Sequence, residues 1–389
     1  YVGRGTVSLA EPETSDEKAV RSDVQVARQN RLSTDSDSQG YLAFSDPYSG
    51  EVIATVLLRS DSQITLDSAA RPRFSLSENP YTIRLTGANG RLEVWVRSGL
   101  DREVRLDIEG ALGDTRIGDP GTFMITTTPS DLTVSARQGS ATLVSHNSHT
   151  QHIAEGTFAA LSAGDTAIQV GPGPIDLLPN STFVRAKDSE WPVDWSCAYY
   201  PSPAYPNAPP GQYRFITQDG RPTIHIQRLN LNPREPGEMG CEQFPADRER
   251  GLDVRQYDSL RLRVIMLVHH QSLSACGVAG SECPVMLYVK YRDRDGNPRE
   301  WWHGFYAEYT PNQGRTRCDT CLEEHERINK DAWYTYESGN LFTDLPEGQR
   351  PGWIIEVKFY ASGHEFDVML NEVSLLATLP AGADTAAAP

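Results

Sequence analysis

The sequence predicts an all-β protein built as two β-domains in series. Three observations carry this. Apolar and polar residues alternate with period two along most of the 389 residues, the pattern of strands with one face on a core. Helix-period patterns are nearly absent. A Pro/Gly-rich stretch, Gly171 to Pro179 (GPGPIDLLP), interrupts the alternation, and its three prolines and two glycines are expected to break a ladder. The expected division is a β-domain over 1–172, a linker over 173–180, a β-sandwich over 181–379 and a disordered tail over 380–389, which is Ala-rich and has no core pattern.

The elements follow in order. Tyr81, Ile83 and Leu85 alternate with Thr82, Arg84 and Thr86, and Leu92, Val94 and Val96 alternate after Gly87-Ala88-Asn89-Gly90. Asn-Gly suits a turn with positive φ, so a hairpin is expected there. Val104, Leu106 and Ile108 oppose Glu103, Arg105, Asp107 and Glu109. In the second half Leu260, Leu262, Val264, Met266 and Val268 share a face. So do Val285, Leu287, Val289 and Tyr291, and so do Trp353, Ile355, Val357 and Phe359. Asp295-Gly296 reads as the loop between strand 285–292 and the aromatic run Trp301 to Tyr309. One short helix is expected, Leu322 to Lys330.

The formal charge is −16, with residues 1–178 and the remainder each carrying −8. An acidic surface of this kind repels phosphate backbones and argues against nucleic-acid partners. The longest apolar runs, Val52 to Leu58 and Val264 to Val268, fall far short of the roughly 18 residues of a membrane span. The first residue is Tyr1, so removal of a signal peptide or a membrane anchor is expected, with attachment to the membrane through that segment.

All six cysteines lie in the second half: Cys197, Cys241, Cys276, Cys283, Cys318 and Cys321. An even count in one region suggests disulfides and an extracytoplasmic location. Six cysteines allow 15 pairings. Closeness favours Cys276–Cys283 and Cys318–Cys321, leaving Cys197–Cys241. A zinc site and a redox CxxC pair are the alternatives for Cys318 and Cys321.

Residues 1–170 resemble the FecR-type extracytoplasmic domain. The stretches that carry the resemblance are RLSTDSDSQGYLAFSD (31–46), VIATVLLRSDSQITL (52–66), GTFMITTTPSDLTVSARQGSATLV (121–144) and GTFAALSAGD (156–165). The best-known members of that family relay a signal from an outer-membrane receptor to a sigma factor, and many proteins with the domain do not. That role also needs a membrane helix and a cytoplasmic segment, so it is not carried over. Residues 181–379 resemble a jelly-roll sandwich of the galactose-binding or carbohydrate-binding-module type, through YDSLRLRVIML (257–267), VKYRDRDGNPREWWHGFYAE (289–308), AWYTYESGNL (332–341) and PGWIIEVKFYASGHEFDVMLNEVSLL (351–376). The resemblance implies a β-sandwich whose ligand is open.

Aromatic residues are the leading site candidates, because sugar rings stack on exposed aromatic faces while polar neighbours take the hydroxyls. Trp191, Trp195 and Tyr199 crowd a Pro-rich stretch. Trp302 and Tyr306 share one face of a strand whose other face carries Trp301 and Phe305. Asp188, Asp367 and Asn371 are weaker candidates for a structural calcium; no other cofactor is expected. His269, His270, His303, His325 and His364 show no metal-binding spacing, and Glu323-Glu324 reads as the acidic first turn of the short helix. The chain is therefore expected to be a non-enzymatic envelope protein, periplasmic, cell-surface or secreted, that binds a glycan or a cell-envelope protein. A hydrolase on the sandwich and a purely structural subunit are the alternatives.

Overall fold

The computed structural model describes residues 1–12, 17–73, 77–186, 191–229 and 235–380; Asp188 and 381–389 lie outside them. The chain is all-β and divides into two compact units, with Tyr1–Ile175 in the first and Asp176–Pro380 in the second. Among the described residues the helical elements are Leu341–Asp344 and one 3-10 turn, Glu347–Gln349, and no helix is long and apolar enough to cross a membrane.

The first unit is organised by one long strand, Tyr81–Val96. Its first half pairs with Gln63–Ala70 and, in parallel, with Val104–Gly110. Its second half pairs with Val52–Leu58 and Gly121–Thr127. The expected hairpin at Gly87–Gly90 is therefore a bend in a continuous strand that passes from one set of ladders to another. Gly90 has φ +94°, and a Cβ there would collide with Asp61 and Ser62, so glycine serves the bend rather than a turn. Ile64, Leu85, Val94 and Phe123 are fully buried in the core of this unit.

The second unit is a two-sheet sandwich. One sheet runs Gln212–Gln218, Arg221–Arg228, Phe366–Thr378, Ser259–Gln271, Tyr334–Glu337. The other runs Ser196–Pro201, Gly237–Gln243, Pro351–Gly363, Val285–Asp293, Pro298–Tyr306, Glu326–Arg327. Leu260, Leu262, Val264, Met266 and Val268 are all fully buried, as their shared parity requires, and Val289, Phe305, Val357 and Phe359 line the core from the second sheet. The loop at Asp295-Gly296 joins Val285–Asp293 to Pro298–Tyr306, with Gly296 at φ +89°.

The Pro/Gly stretch holds the division between the units. The ladder of Gln169–Pro172 with Thr157–Ser162 ends at Pro172, and the second unit begins at Asp176, where the Leu177 amide donates to the Leu375 carbonyl at 2.8 Å. Two further expectations are corrected. Leu322 to Lys330 is not helical. Glu326–Arg327 adds in parallel to the strand edge at Phe305 and Tyr306, the Ile328 amide donates to the Tyr306 carbonyl, and Leu341–Asp344 is helical instead. Trp353 does not share the face of Val357 and Phe359. The register shifts between Lys290 and Tyr291, so Ile354 replaces Ile355 in the ladder. The bulge reverses parity, Ile354 points into the core, and the Trp353 ring lies under Arg255, 4.2 Å from ring centre to guanidinium.

Candidate functional site

The register of the second sheet sets out the site. Residues directly opposite on neighbouring strands share a face. One row therefore crosses five strands as Ser196, Glu242, Lys358, Tyr288 and Trp302. The next row is Ala198, Gly240, Tyr360, Met286 and Gly304. Tyr200 faces Glu238 beside it, and on the other side Glu356, Lys290 and Glu300 form a short row of charges. Successive strand residues point oppositely, so this face lies away from the core that holds Val357, Phe359 and Trp301.

The Trp302 ring lies 4.3 Å from that of Tyr288 and meets Tyr360 edge-on at 6.3 Å. Tyr288 and Tyr360 are nearly covered, while Trp302 is half-buried. The covering comes from a second apolar cluster, Ala275, Cys276, Cys283, Met286, Tyr288, Tyr306 and Tyr360, with Trp302 packed against it. Its outer part is loop, stapled by Cys276–Cys283. Gly304 lets that loop approach, since a Cβ there would strike Cys283 Sγ. Gln271 ties the loop down: its Nε2 donates to the Leu273 and Ala275 carbonyls, and its Oε1 accepts from the Ala307 amide at 2.7 Å. The face is thus walled at one end and open toward Trp302, Lys358, Glu242 and Tyr200.

Polar groups on the open part are held in place. Lys358 Nζ donates to Glu238 Oε1 at 2.7 Å and lies over the rings of Tyr200 and Tyr360, at 4.5 and 4.9 Å. Such contacts fix a cation that is still able to donate. Tyr288 donates its hydroxyl to Glu300 Oε1 at 2.9 Å, and burial raises its phenol pKa. Glu356 is pushed above the ordinary carboxylate value, first by burial and then by the neighbouring charge of Glu242. An aromatic platform flanked by an ammonium and several carboxylates can stack on a sugar ring and hydrogen-bond its hydroxyls from the sides.

No family model and no curated protein matches the sequence. Solved structures similar to the chain include one described as a "putative anti-sigma factor" from Parabacteroides distasonis, at 12% identity and TM-score 0.28, covering 37% of this chain. The chain spans 59% of that structure's length. They also include a carbohydrate-binding module, CBM61, in complex with β-1,4-galactotriose (11% identity, TM-score 0.26, 52% of this chain and 97% of that one). A third is the xylan-binding CBM22-1 domain of Paenibacillus barcinonensis Xyn10C (11% identity, TM-score 0.28, 54% of this chain and 97% of that one). At these scores the likenesses carry no argument about function.

Of the five aromatic candidates, Trp302 and Tyr306 lie on the described face, and Tyr306 is buried under the loop. Trp195 is a core residue, packed against Phe183 and Phe359 at 5.3 Å from each, with its Nε1 donating to the Asn180 carbonyl. It has no face left for a ligand, because the chain around it closes onto the sandwich. Tyr199 points opposite to Tyr200 and donates its hydroxyl to the Ala208 carbonyl. Trp191 stands elsewhere, edge-on to Tyr213 and Phe215.

Of the calcium candidates, Asp188 lies outside the described residues, and Asp367 and Asn371 lie apart. Asp367 is engaged by His225 Nε2 at 2.6 Å and Gln227 Nε2 at 2.7 Å. Asn371 is four residues further along the same strand, roughly 13 Å at strand rise, too far to share one ion.

The cysteines pair as Cys197–Cys241, Cys276–Cys283 and Cys318–Cys321. His325 lies within ligand reach of the last two pairs, but its ring is already used. Nδ1 accepts from the Gly304 amide at 2.9 Å and Nε2 faces the Gly280 carbonyl at 2.7 Å. One nitrogen spends its lone pair and the other its proton, so the neutral ring offers no lone pair to a metal. Burial lowers its pKa and keeps it in that form.

Tyr288, Tyr360, Lys358, Glu242 and Glu356 were not singled out from sequence. A signal for part of the set was present. Once Val285, Leu287 and Val289 are assigned to the core, Tyr288 must face outward, and once Val357 and Phe359 are core, Glu356, Lys358 and Tyr360 must share the other side.

Proposed function

We propose that the second unit is a non-catalytic glycan-recognition module, and that its binding face is the outer surface of the sheet containing Trp302. The observation that carries this is the row Glu242, Lys358, Tyr288 and Trp302 across four strands, which sets a half-exposed indole beside fixed donors and acceptors. Flat, shallow and lined by aromatics, such a face suits a sugar chain better than a compact metabolite. Three disulfides support an extracytoplasmic site of action. The first unit is read as the supporting module of an envelope protein, and the glycan as the partner. Affinity electrophoresis of the full chain through gels containing β-linked galactan, xylan or other soluble polysaccharides tests the reading. Retardation by at least one polymer, relieved by its free oligosaccharide, is expected. Unretarded migration in every polymer, together with no binding on a glycan array, contradicts it.

A further inference from the structure

A different part of the second unit carries a group that the glycan face does not use. His303 lies on Pro298–Tyr306, on the core side of the strand, and is 2% exposed. Its ring is stacked between Trp301 and Tyr336, with centroids at 5.8 and 4.8 Å and interplanar angles of 17° and 13°. Neither ring nitrogen has a hydrogen-bond partner. A buried polar group left in that state costs on the order of 1–3 kcal/mol, and such a group calls for an explanation such as a water or an ion.

The surroundings say which. Glu326 Oε1 stands 3.6 Å from His303 Nε2, and Glu323 Oε2 stands 4.0 Å from Nδ1. Each nitrogen faces one carboxylate. Glu326 is itself oriented, because Tyr334 donates its hydroxyl to the other oxygen, Oε2, at 2.5 Å. We propose that His303 Nε2 and Glu326 Oε1 bind one divalent transition-metal ion of the zinc class, with Glu323 as the positioning carboxylate for the His303 Nδ1–H.

The separation of His303 Nε2 and Glu326 Oε1 suits one bridging ion. Bonds of about 2.1 Å from one ion to an imidazole nitrogen and a carboxylate oxygen span 3.6 Å at a ligand–metal–ligand angle of about 118°, near tetrahedral. A metal-bound imidazole usually gives its second N–H to a carboxylate, which fixes ring and tautomer. Glu323 Oε2 stands 4.0 Å from Nδ1, and a side-chain shift of about 1 Å brings it to hydrogen-bond distance. An imidazole with a carboxylate selects zinc, copper, nickel or cobalt over calcium and magnesium, which prefer all-oxygen sets. Glu326 is only partly buried, so solvent completes the coordination and the site is open. The sequence places Glu323 and Glu326 three residues apart in a segment that reads as a helix. Their pairing with His303 exists because Glu326–Arg327 adds to the edge of His303's own strand.

The test uses the untagged, oxidised full chain after removal of metal with a chelator. Zn²⁺ is titrated calorimetrically, and Co²⁺ is titrated with its visible absorption as a second readout. One equivalent of Zn²⁺ should bind, and Co²⁺ should develop the bands of a low-coordinate site with a nitrogen ligand. Ca²⁺ and Mg²⁺ should not compete. Glu326→Gln should weaken binding by a hundredfold or more, Glu323→Gln by about 10–100-fold as for a second-sphere partner, and Glu324→Gln should leave it unchanged. His303→Gln should also abolish it. Because that position is buried, the two surface Glu variants decide the matter if His303→Gln does not fold. Absence of saturable Zn²⁺ binding, or binding that survives Glu326→Gln unweakened, overturns the proposal and leaves a buried water as the partner of His303.

Discussion

Trp301 and Trp302 are neighbours in one strand and live in different worlds. Trp301 is 3% exposed, on the core side with Phe305 and the stacked ring of His303. Trp302 is half-buried on the opposite side, against Tyr288 and Tyr360, in a field of lysines and glutamates. The two faces of this sheet use the same residue types for different ends. On the inner face Trp301 and Phe305 are closed in, and burial is their contribution. On the outer face they are closed in on one side only, by a disulfide-stapled loop, and the remaining side meets solvent among charged groups. What separates a packed aromatic from a part-exposed one here is the company it keeps, not the aromatic itself.

The comparison breaks most visibly in stability. Trp301→Ala is expected to cost about 3–5 kcal/mol, as a large core truncation does, read as a shift in the urea midpoint at unchanged slope. A loss below about 1 kcal/mol would mean that the inner face is not the core it is described to be. Removing the staple is the next largest effect. Cys276→Ala with Cys283→Ala opens a short loop, for which chain entropy suggests about 2–3 kcal/mol. The stronger expectation is that glycan retention falls with it, since the loop walls the outer face. Loss of stability with full retention would show that the wall is not part of the site.

The smallest effect sharpens the electrostatics. Burial and Glu242 raise the Glu356 carboxyl above its usual value. The folded chain therefore holds a proton that the unfolded chain releases, so stability from this group is present below the ordinary carboxylate range and is lost as pH rises through the raised value. Glu356→Gln should match the wild type near pH 4 and exceed it by a few tenths of a kcal/mol, typical of part-exposed charges, near pH 7. Equal midpoints at both pH values would remove Glu242 and burial as the governing terms.

Much of this was legible in the alternation itself. Leu260 through Val268 declared a core face, the parity of Trp301 and Trp302 separated them, and the spacing of the cysteines favoured the pairs that form. What was not legible depended on partners distant in sequence. Gly87–Gly90 carries the residues of a hairpin turn, yet the strand continues, because ladders on either side extend it. Ile355 is a bulge, and nothing in the local pattern announces one, so Trp353 was placed on the wrong face. Leu322 to Lys330 looks helical by composition, but its backbone donors are taken by Thr316 and Tyr306. The proposed binding face was half visible: its aromatic strand stood out, while Glu242, Lys358 and Tyr288 become one row only when four strands are in register.

The central claim is that the outer face binds glycan through Trp302, while Trp301 on the inner face serves packing alone. The direct measurement is Trp302→Ala in the full chain, followed by affinity electrophoresis against a polysaccharide that retards the wild type. The account predicts loss of retardation with a stability cost of about 1–2 kcal/mol, well under that of Trp301→Ala, because only part of the ring is buried. Retardation equal to the wild type in a folded Trp302→Ala protein would contradict it.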